Sequence, residues 1–227
     1  MDGIVFFAVV LAFVAVAIVS TLVTSRYEGK RTEAWRAVAQ RPGMQFVGES
    51  SGVLSRFGRF KMFQKGRGQA VSNAIAVDSG EIRIVVGDFR YTTGSGKSKT
   101  THKLTICALQ SALLDLPHCC LRPESRLYDG LGALFGGQDI DFQEDPEFSA
   151  AFVLQGEQEA AIRQVFTAPV RAWFAQQASQ QFFFEAQENK LVFHRGKRVP
   201  PGESPELMDQ ALQILRLLAD GASAQAR

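Results

Sequence analysis

Three histidines and three cysteines are the side chains of this sequence whose types suit nucleophilic or metal chemistry. The histidines stand at positions 102, 118 and 194, and the cysteines at 107, 119 and 120. No histidine has a partner at the sequence spacing typical of a zinc site. On a strand, His118 and Cys119 point to opposite faces, and so do Cys119 and Cys120, so neither pair serves one substrate or one metal ion. We interpret these residues as buried or half-buried packing residues and expect no metal site and no cofactor.

Residues 93–99, TGSGKSK, have the composition of a phosphate-binding loop. Such a loop requires a glycine six residues before its lysine, and Tyr91 stands six residues before Lys97. It also requires a helix directly after it, whereas residues 100–109 alternate like a strand. The pattern therefore predicts a hairpin tip, where Lys97 and Lys99 offer a docking point for an anion or a protein partner.

Residues 139–147 form an acidic stretch. Its five carboxylates belong to Asp139, Asp141, Glu144, Asp145 and Glu147. Carboxylates supply the hard oxygen ligands that a divalent cation prefers, but the glycine-anchored order of an EF-hand is absent from the sequence. We interpret the stretch as a solvated acidic turn.

The elements that must position these residues begin with an apolar segment. No charged side chain stands between Gly3 and Ser25. About 20 residues of helix span roughly 30 Å, which is one membrane crossing. We therefore expect a transmembrane anchor over residues 1–25. The alternatives are a cleaved signal peptide, which favours a basic front end where this chain has Asp2, and a buried soluble helix.

Basic residues flank the apolar segment on one side. They are Arg26, Lys30, Arg31, Arg36 and Arg41. Because basic flanks tend to stay in the cytoplasm, we expect a single-pass protein of the inner membrane, with its N-terminus outside and its folded domain in the cytoplasm. Three cysteines, two of them adjacent, suit reduced thiols better than a disulfide framework.

The charge of the soluble part is unevenly distributed. Residues 26–103 hold 15 basic and 6 acidic side chains, whereas residues 104–227 hold 10 and 16. The basic half includes Arg56, Arg59, Lys61, Lys65 and Arg67. Anionic headgroups attract such residues by about 1 kcal/mol each, so anionic lipid is an expected partner and a solvated basic loop is the alternative. Nucleic acid is not expected, because the acidic half would repel it and no reader motif is present.

Hydrophobic periodicity predicts the elements. Helices are predicted over residues 28–40 within a juxtamembrane segment 26–43, weakly over 127–135, over 157–177 with a break at Pro169, and over 205–219. Strands are predicted over residues 44–47, 70–77, 81–92, 100–109, 118–121 and 148–154, and in a hairpin over 181–195. Tyr27 and Trp35 are expected at the level of the lipid headgroups.

Three finer expectations concern packing. The apolar residues of 81–92 change parity at Gly87, which predicts a β-bulge there. A turn at Glu188 and Asn189 pairs Phe184 with Phe193 across the hairpin. The phenylalanines of the glycine-rich segment 49–68 are expected in the core, with contact to the membrane as the alternative.

These elements predict an α+β domain over residues 44–219, with a mainly antiparallel sheet and helices packed on it. The hairpins and closing helix suggest a pleckstrin-homology-like layout. A division into subdomains is conceivable near residues 123–138, and residues 220–227 are expected to fray. At 227 residues, with 46% hydrophobic and 21% charged side chains, the chain is neither disordered nor stapled by disulfides.

Several stretches of sequence resemble a family of uncharacterised bacterial single-pass membrane-anchored proteins. They are the helix end AWRAVAQRPGMQF, the hairpin GDFRYTTGSGKSKTTH, the LP and RPE elements of residues 116–124, and DPEFSAAF. The resemblance covers nearly the whole chain and implies a bacterial source and a shared fold. It implies no catalytic residue, and the paired cysteines depart from an apolar or aromatic residue usual near position 119.

Two classes of function follow. The first is a membrane-tethered cytoplasmic binding or scaffold module of the bacterial envelope, and the sequence favours it. The second is an enzyme acting on a lipid-borne or small-molecule substrate, although the sequence contains no nucleophile elbow, metal triad or phosphate loop. A deep pocket where His102, a cysteine and a carboxylate converge would favour catalysis, and a flat charged face would favour binding.

Overall fold

The computed structural model describes residues 2–124 and 139–223. Its first element, α1 (Asp2–Val38), is one continuous helix of 37 residues that includes the predicted anchor and the predicted juxtamembrane helix. Among the described residues, Leu11–Val38 is the helix long and apolar enough to cross a membrane, and its apolar window is not buried. A signal sequence near an N-terminus meets the same criteria.

The described strands form a single sheet with antiparallel pairing throughout. They are β1 (Gln45–Gly48), β2 (Arg67–Asp78), β3 (Ile82–Thr93), β4 (Thr100–Ser111), β5 (Leu116–Pro123), β6 (Phe152–Gln155), β7 (Phe183–Glu188) and β8 (Lys190–His194). Their order in the sheet is β1-β2-β3-β4-β8-β7-β5-β6. The predicted α+β class with an antiparallel sheet is confirmed, whereas the pleckstrin-homology-like layout stays a prediction.

Within residues 2–124 and 139–223, six shorter helices follow α1. They are α2 (Ser51–Phe57), α3 (Lys61–Gln64), α4 (Pro146–Ala151), α5 (Glu159–Val165), α6 (Ala168–Gln176) and α7 (Ser204–Ser223). The predicted break at Pro169 is confirmed, because this residue lies in the first turn of α6. α7 continues to Ser223, so residues 220–223 are helical rather than frayed. The predicted helix over 127–135, and most of the region near 123–138 where a division was conceivable, lie outside the described residues.

The strand predicted over residues 148–154 is wrong in its first half. Residues 146–151 form α4, and β6 begins only at Phe152. The side chain of Asp145 accepts a hydrogen bond from the backbone N–H of Phe148, and Pro146 occupies the first turn. An aspartate cap followed by proline starts a helix even where the apolar residues suit a strand.

Both faces of the sheet are covered. The end of α1 and α4 to α7 pack on one face, the multi-helix face, where Trp35, Phe148, Phe174 and Leu215 are buried. α2 and α3 pack on the other, the cavity face, where Phe57, Phe60 and Phe63 are buried with Phe89. The phenylalanines of the glycine-rich segment therefore belong to the core, as predicted. The expectation of Trp35 at headgroup level is wrong, because this side chain is fully buried.

The predicted bulge at Gly87 is also wrong. β3 pairs with β4 without a shift from Ile82 to Thr93, and the change of parity arises because both faces of β3 are covered. The irregularity lies opposite, in β2, between Ser72 and Ile75, where Asn73 has a φ of 52°. A side chain at Gly87 would approach the backbone of this bulge to about 3.0 Å, so glycine is required there for packing.

The predicted hairpin of β7 and β8 is confirmed in type and register. Phe184 lies opposite Phe193, and Ala186 lies opposite Leu191. All four side chains are buried on the multi-helix face. The intervening residues of these strands therefore point to the cavity face, where the candidate site lies.

Candidate functional site

A cavity of about 220 Å³ lies on the cavity face, between α3 and residues of six strands, β3 to β8. Apolar side chains such as Met62, Leu104 and Phe183 form much of its wall. Its polar lining residues are Lys65, Tyr91, His102, Lys103, Cys120, Arg122, Gln155, Glu185 and His194. A concave site with apolar walls and a few polar groups is the usual form of a small-ligand pocket.

His118, Cys120 and Glu185 form a cluster at one side of this cavity. The ligating atoms of the three side chains all lie within 4.8 Å of one another. His118 and Cys120 are two residues apart on β5, so they share a face, and Glu185 is the cross-strand partner of Cys120 on β7. Gln155 is the partner of Cys120 on the other side, on β6. The sheet thus sets Gln155, Cys120 and Glu185 in one row.

Glu185 is the anchor of this cluster. Its Oε1 accepts a hydrogen bond from the backbone N–H of Lys61 at 2.9 Å, and its Oε2 accepts one from Met62 at 3.2 Å. His118 Nε2 lies 2.8 Å from Oε1. The Glu185 side chain is only 4% exposed, and the backbone N–H groups of the first turn of α3 replace the hydrogen bonds that water would make to its carboxylate.

The thiols of the cluster region are protonated at neutral pH. Burial and the Glu185 carboxylate raise the pKa of Cys120 well above its ordinary value, and the same causes raise the pKa of Cys119 to about 12. Cys119 points to the multi-helix face and belongs to the core there. A protonated thiol is a poor nucleophile, so Cys120 alone is not an activated catalytic cysteine.

Two basic residues that line the cavity, Lys65 and His194, have lowered pKa values. Burial lowers the pKa of Lys65. Burial, with a contribution from Lys65, also lowers the pKa of His194 to about 3, so this imidazole is neutral at physiological pH. His194 Nδ1 accepts a hydrogen bond from the backbone N–H of Gly196 at 3.0 Å. Arg122 lines the cavity and has a buried Nε without a hydrogen-bond partner among the described residues.

On the face of the sheet opposite the cavity, α1 contacts the same end of β4. Glu28 accepts hydrogen bonds from Lys103 at 2.8 Å and from Arg198 at 2.9 Å. These two partners lower the pKa of Glu28 to about 2, with Arg198 the larger cause. Glu28 is three residues past Ser25, or about 4.5 Å along a helix. Lys103 therefore lies close to the end of the apolar segment.

A second link between α1 and the sheet is a buried ion pair. Arg31 Nε donates to Asp88 Oδ2 at 2.7 Å, and Arg31 Nη2 donates to Asp88 Oδ1 at 2.6 Å. Arg31 Nη2 also donates to Thr105 Oγ1 and to the Val199 carbonyl. Arg31 was expected to face the lipid surface, but it is 8% exposed and holds the helix to the sheet.

The other basic residues proposed from the sequence remain on or near the surface. The exposed ones are Arg26, Lys30, Arg36, Arg41, Arg56, Arg59 and Arg67. Lys61 and Lys65 are half-buried, and only Lys65 of the set lines the cavity. Lys97 and Lys99 are exposed at the tip of the β3–β4 hairpin, as predicted for these residues.

The acidic stretch is engaged mainly by one arginine. Asp145 and Glu144 form ion pairs with the buried Arg171 at 3.1 and 3.3 Å. Asp139 accepts a hydrogen bond from Gln155 Nε2 at 2.7 Å. These carboxylates therefore serve the packing of α4 and α6 and the orientation of Gln155.

Sequence reasoning missed the cluster because it considered adjacent residues. His118 and Cys120 were separated by one residue on a predicted strand, which is the spacing that shares a face. That signal was available in the sequence. Glu185 lies 65 positions after Cys120 and joins the cluster only because β5 pairs with β7. The sequence contains no signal for that pairing.

Comparison with known proteins shows a shared fold. No protein-family model and no curated protein matches the chain. The crystal structure of the mycobacterial trehalose monomycolate transport factor A, TtfA, matches with a TM-score of 0.53 and 14% sequence identity, covering 85% of this chain and 93% of that one. The likeness is one of fold alone, and the expected bacterial origin stays a prediction. Membership of the anchored family stays a prediction.

Proposed function

We propose that the protein is a membrane-anchored binding module whose cavity takes an anionic lipid of the surrounding bilayer. The observation that carries this proposal is the position of the cavity. The cavity lies at the end of β4 that holds His102 and Lys103, and on the opposite face of the sheet Lys103 bonds to Glu28, three residues past the apolar segment of α1. A pocket with apolar walls and basic groups beside a bilayer suits a ligand that has both an anionic and an apolar part.

The direction of the β3–β4 hairpin supports this proposal. On α1, Arg31 contacts Asp88 of β3. Glu28 lies about one helical turn before Arg31 and contacts Lys103 of β4. Lys103 pairs with Arg90, which lies two residues after Asp88 on β3. Passing along β3 toward the hairpin tip therefore corresponds to passing along α1 toward its apolar segment. Thr93 is about 10 Å further along β3 than Arg90. In an anchored chain, Lys97 and Lys99 then reach the headgroup layer.

The match to TtfA adds limited support. That protein is described as a transport factor for trehalose monomycolate. A fold shared at 14% identity transfers neither ligand nor activity, but it is compatible with a module of a bacterial envelope. The present proposal rests on the cavity and its position.

Lipid titration tests the proposal directly. The full chain in neutral detergent is titrated by calorimetry with short-chain phosphatidylglycerol and with the matching phosphatidylcholine. We expect binding of the anionic lipid only, weakened about 5-fold by Arg122→Gln, because one basic group near the lipid contributes about 1 kcal/mol. Arg216→Gln is the matched control, because it makes the same change at an exposed position of α7, and this variant should bind like the wild type. Equal binding of both lipids, or equal loss in both variants, refutes the proposal.

The proposed orientation places the domain in the cytoplasm. It rests on the basic residues that follow the apolar segment, of which Arg26, Lys30 and Arg36 are exposed. A reporter that is active only in the cytoplasm, fused after Arg227, should be active, and one that is active only in the periplasm should be silent. The opposite pair of results refutes the orientation.

A second candidate function is catalysis on a lipid-borne or small-molecule substrate. The observation that favours it is that His102, Cys120 and Glu185 line one cavity. The raised pKa of Cys120 argues against this reading. Alkylation of Cys120 at neutral pH faster than that of a free thiol would favour catalysis, and slow alkylation would favour the binding module.

A further inference from the structure

From the cluster beside the cavity we infer that His118, Cys120 and Glu185 form a binding site for a borderline divalent metal ion of the zinc class. This inference is independent of lipid binding. Thiolate, imidazole and carboxylate together are a donor set that zinc accepts, with tetrahedral geometry. Three protein ligands leave a fourth position for water or a ligand.

Small side-chain movements would bring the three ligating atoms to the distances of such an ion. The three ligating atoms lie within 4.8 Å of one another. Around a tetrahedral zinc ion, with bonds of about 2.0 to 2.3 Å, ligand atoms lie roughly 3.3 to 3.6 Å apart. The distance of 2.8 Å between His118 Nε2 and Glu185 Oε1 must then widen by about half an ångström. The half-exposed imidazole can make that movement by a small rotation.

A small hollow lies at the cluster itself. Its volume is about 10 Å³, and its lining includes Lys61, His118, Cys120, Gln155 and Glu157. That is close to the smallest space that holds one water-sized sphere, so the hollow has the size of a single ion or water. Two of the three proposed ligands, His118 and Cys120, line it.

Gln155 supplies an independent sign of a missing ligand. The residue is 7% exposed, and its Oε1 is buried without a hydrogen-bond partner among the described residues. The amide cannot be turned around, because its Nε2 donates to the carboxylate of Asp139, which only accepts. The orphaned oxygen lies on the cross-strand partner of Cys120. A water molecule on the metal would donate a hydrogen bond to it.

The surroundings of Glu185 match those of a ligating carboxylate. The backbone N–H groups of Lys61 and Met62 already orient it, as outer partners orient metal ligands. A coordinating thiol gives up its proton to solvent when it binds a metal ion. The site binds one ion and releases one proton from Cys120.

Metal titration of the full chain in detergent tests the inference. The chain is stripped with a chelator and titrated with Zn²⁺ against a chromophoric competitor, and separately with Co²⁺ as a spectroscopic probe. We expect one equivalent of Zn²⁺ and a near-ultraviolet thiolate-to-cobalt charge-transfer band. Cys120→Ser should abolish the band and weaken Zn²⁺ binding more than 10-fold, which is a lower bound taken from the loss of outer partners.

The adjacent cysteine provides the matched control. Cys119→Ala removes a thiol one position away, on the opposite face of β5, and should leave the band and the affinity unchanged. Glu185→Gln, which preserves shape, serves as the second test if Cys120→Ser fails to fold, and it should weaken binding by a comparable factor. Binding below one-tenth of an equivalent, or a band that survives Cys120→Ser, overturns the inference. Either result leaves the lipid titration unaffected.

Discussion

Replacement of Arg31 by methionine tests the link between α1 and the sheet most severely. Arg31 and Asp88 are 7% and 2% exposed in their side chains, and two short hydrogen bonds join them. Removal of one partner from a buried pair costs about 3 to 5 kcal/mol, because the remaining charge stays buried without compensation. Methionine is unbranched and apolar and replaces the aliphatic stem of the arginine, so part of the packing around the stem is kept.

The local structure places the expected loss at the lower end of that range. After the replacement, Asp88 still accepts hydrogen bonds from Asn73 at 3.1 Å and from Thr105 at 3.2 Å. Arg198 also remains, with its Nη2 at 3.7 Å from Asp88. We therefore expect the free energy of unfolding to fall by about 3 kcal/mol.

Urea unfolding of the full chain in detergent, followed by tryptophan fluorescence and circular dichroism, measures this loss. Lys30→Met is the matched control, because it removes a positive charge from the neighbouring, exposed position and should change stability by less than about 0.5 kcal/mol. The double variant Arg31→Met/Asp88→Asn should lose less than the sum of its single changes. A loss under about 1 kcal/mol in Arg31→Met, or an equal loss in Lys30→Met, refutes the reasoning.

Three further outcomes follow from other contacts. The pKa of Glu28 is lowered from 4.5 to about 2, so its stabilisation is present above pH 4.5 and is lost as the pH falls toward 2. Glu28→Gln should therefore cost about 1 kcal/mol at pH 7, a value reduced for solvent screening, and its difference from the wild type in unfolding experiments should vanish near pH 2. Gly156→Ala brings a Cβ within 2.5 Å of the carbonyl oxygen of His118, so thermal unfolding should occur several degrees lower, and an unchanged midpoint would contradict this. Burial raises the pKa of Cys107, so this thiol should resist alkylation, monitored by mass spectrometry, until the chain is unfolded, whereas rapid native labelling would show that it is accessible.

Local patterns predicted most of the secondary structure. The period of the apolar residues identified β2, β3, β4 and the hairpin of β7 and β8, and the register of Phe184 and Phe193 followed from the length of its turn. The break at Pro169 followed from the missing N–H of proline. These features depend on residues close together in the chain, which is why the sequence alone was sufficient.

Errors arose where two local signals competed. The apolar residues of 148–154 suit a strand, yet the cap of Asp145 with Pro146 starts a helix there. The parity change at Gly87 suits a bulge, yet both faces of β3 are buried and the bulge lies in β2. Neither choice could be made without knowing what covers the sheet.

By itself, the sequence determined an apolar segment long enough for one bilayer crossing, a basic flank after it, and an antiparallel α+β domain. Each of these depends on composition or on contacts between near neighbours. The tertiary structure decided which charged and reactive groups meet. It buried Arg31 against Asp88, 57 positions away, and it set Cys120 between Gln155 and Glu185 through the order β7-β5-β6. Strand order is fixed by the burial of both faces of the sheet at once, a global condition that no local stretch of sequence contains.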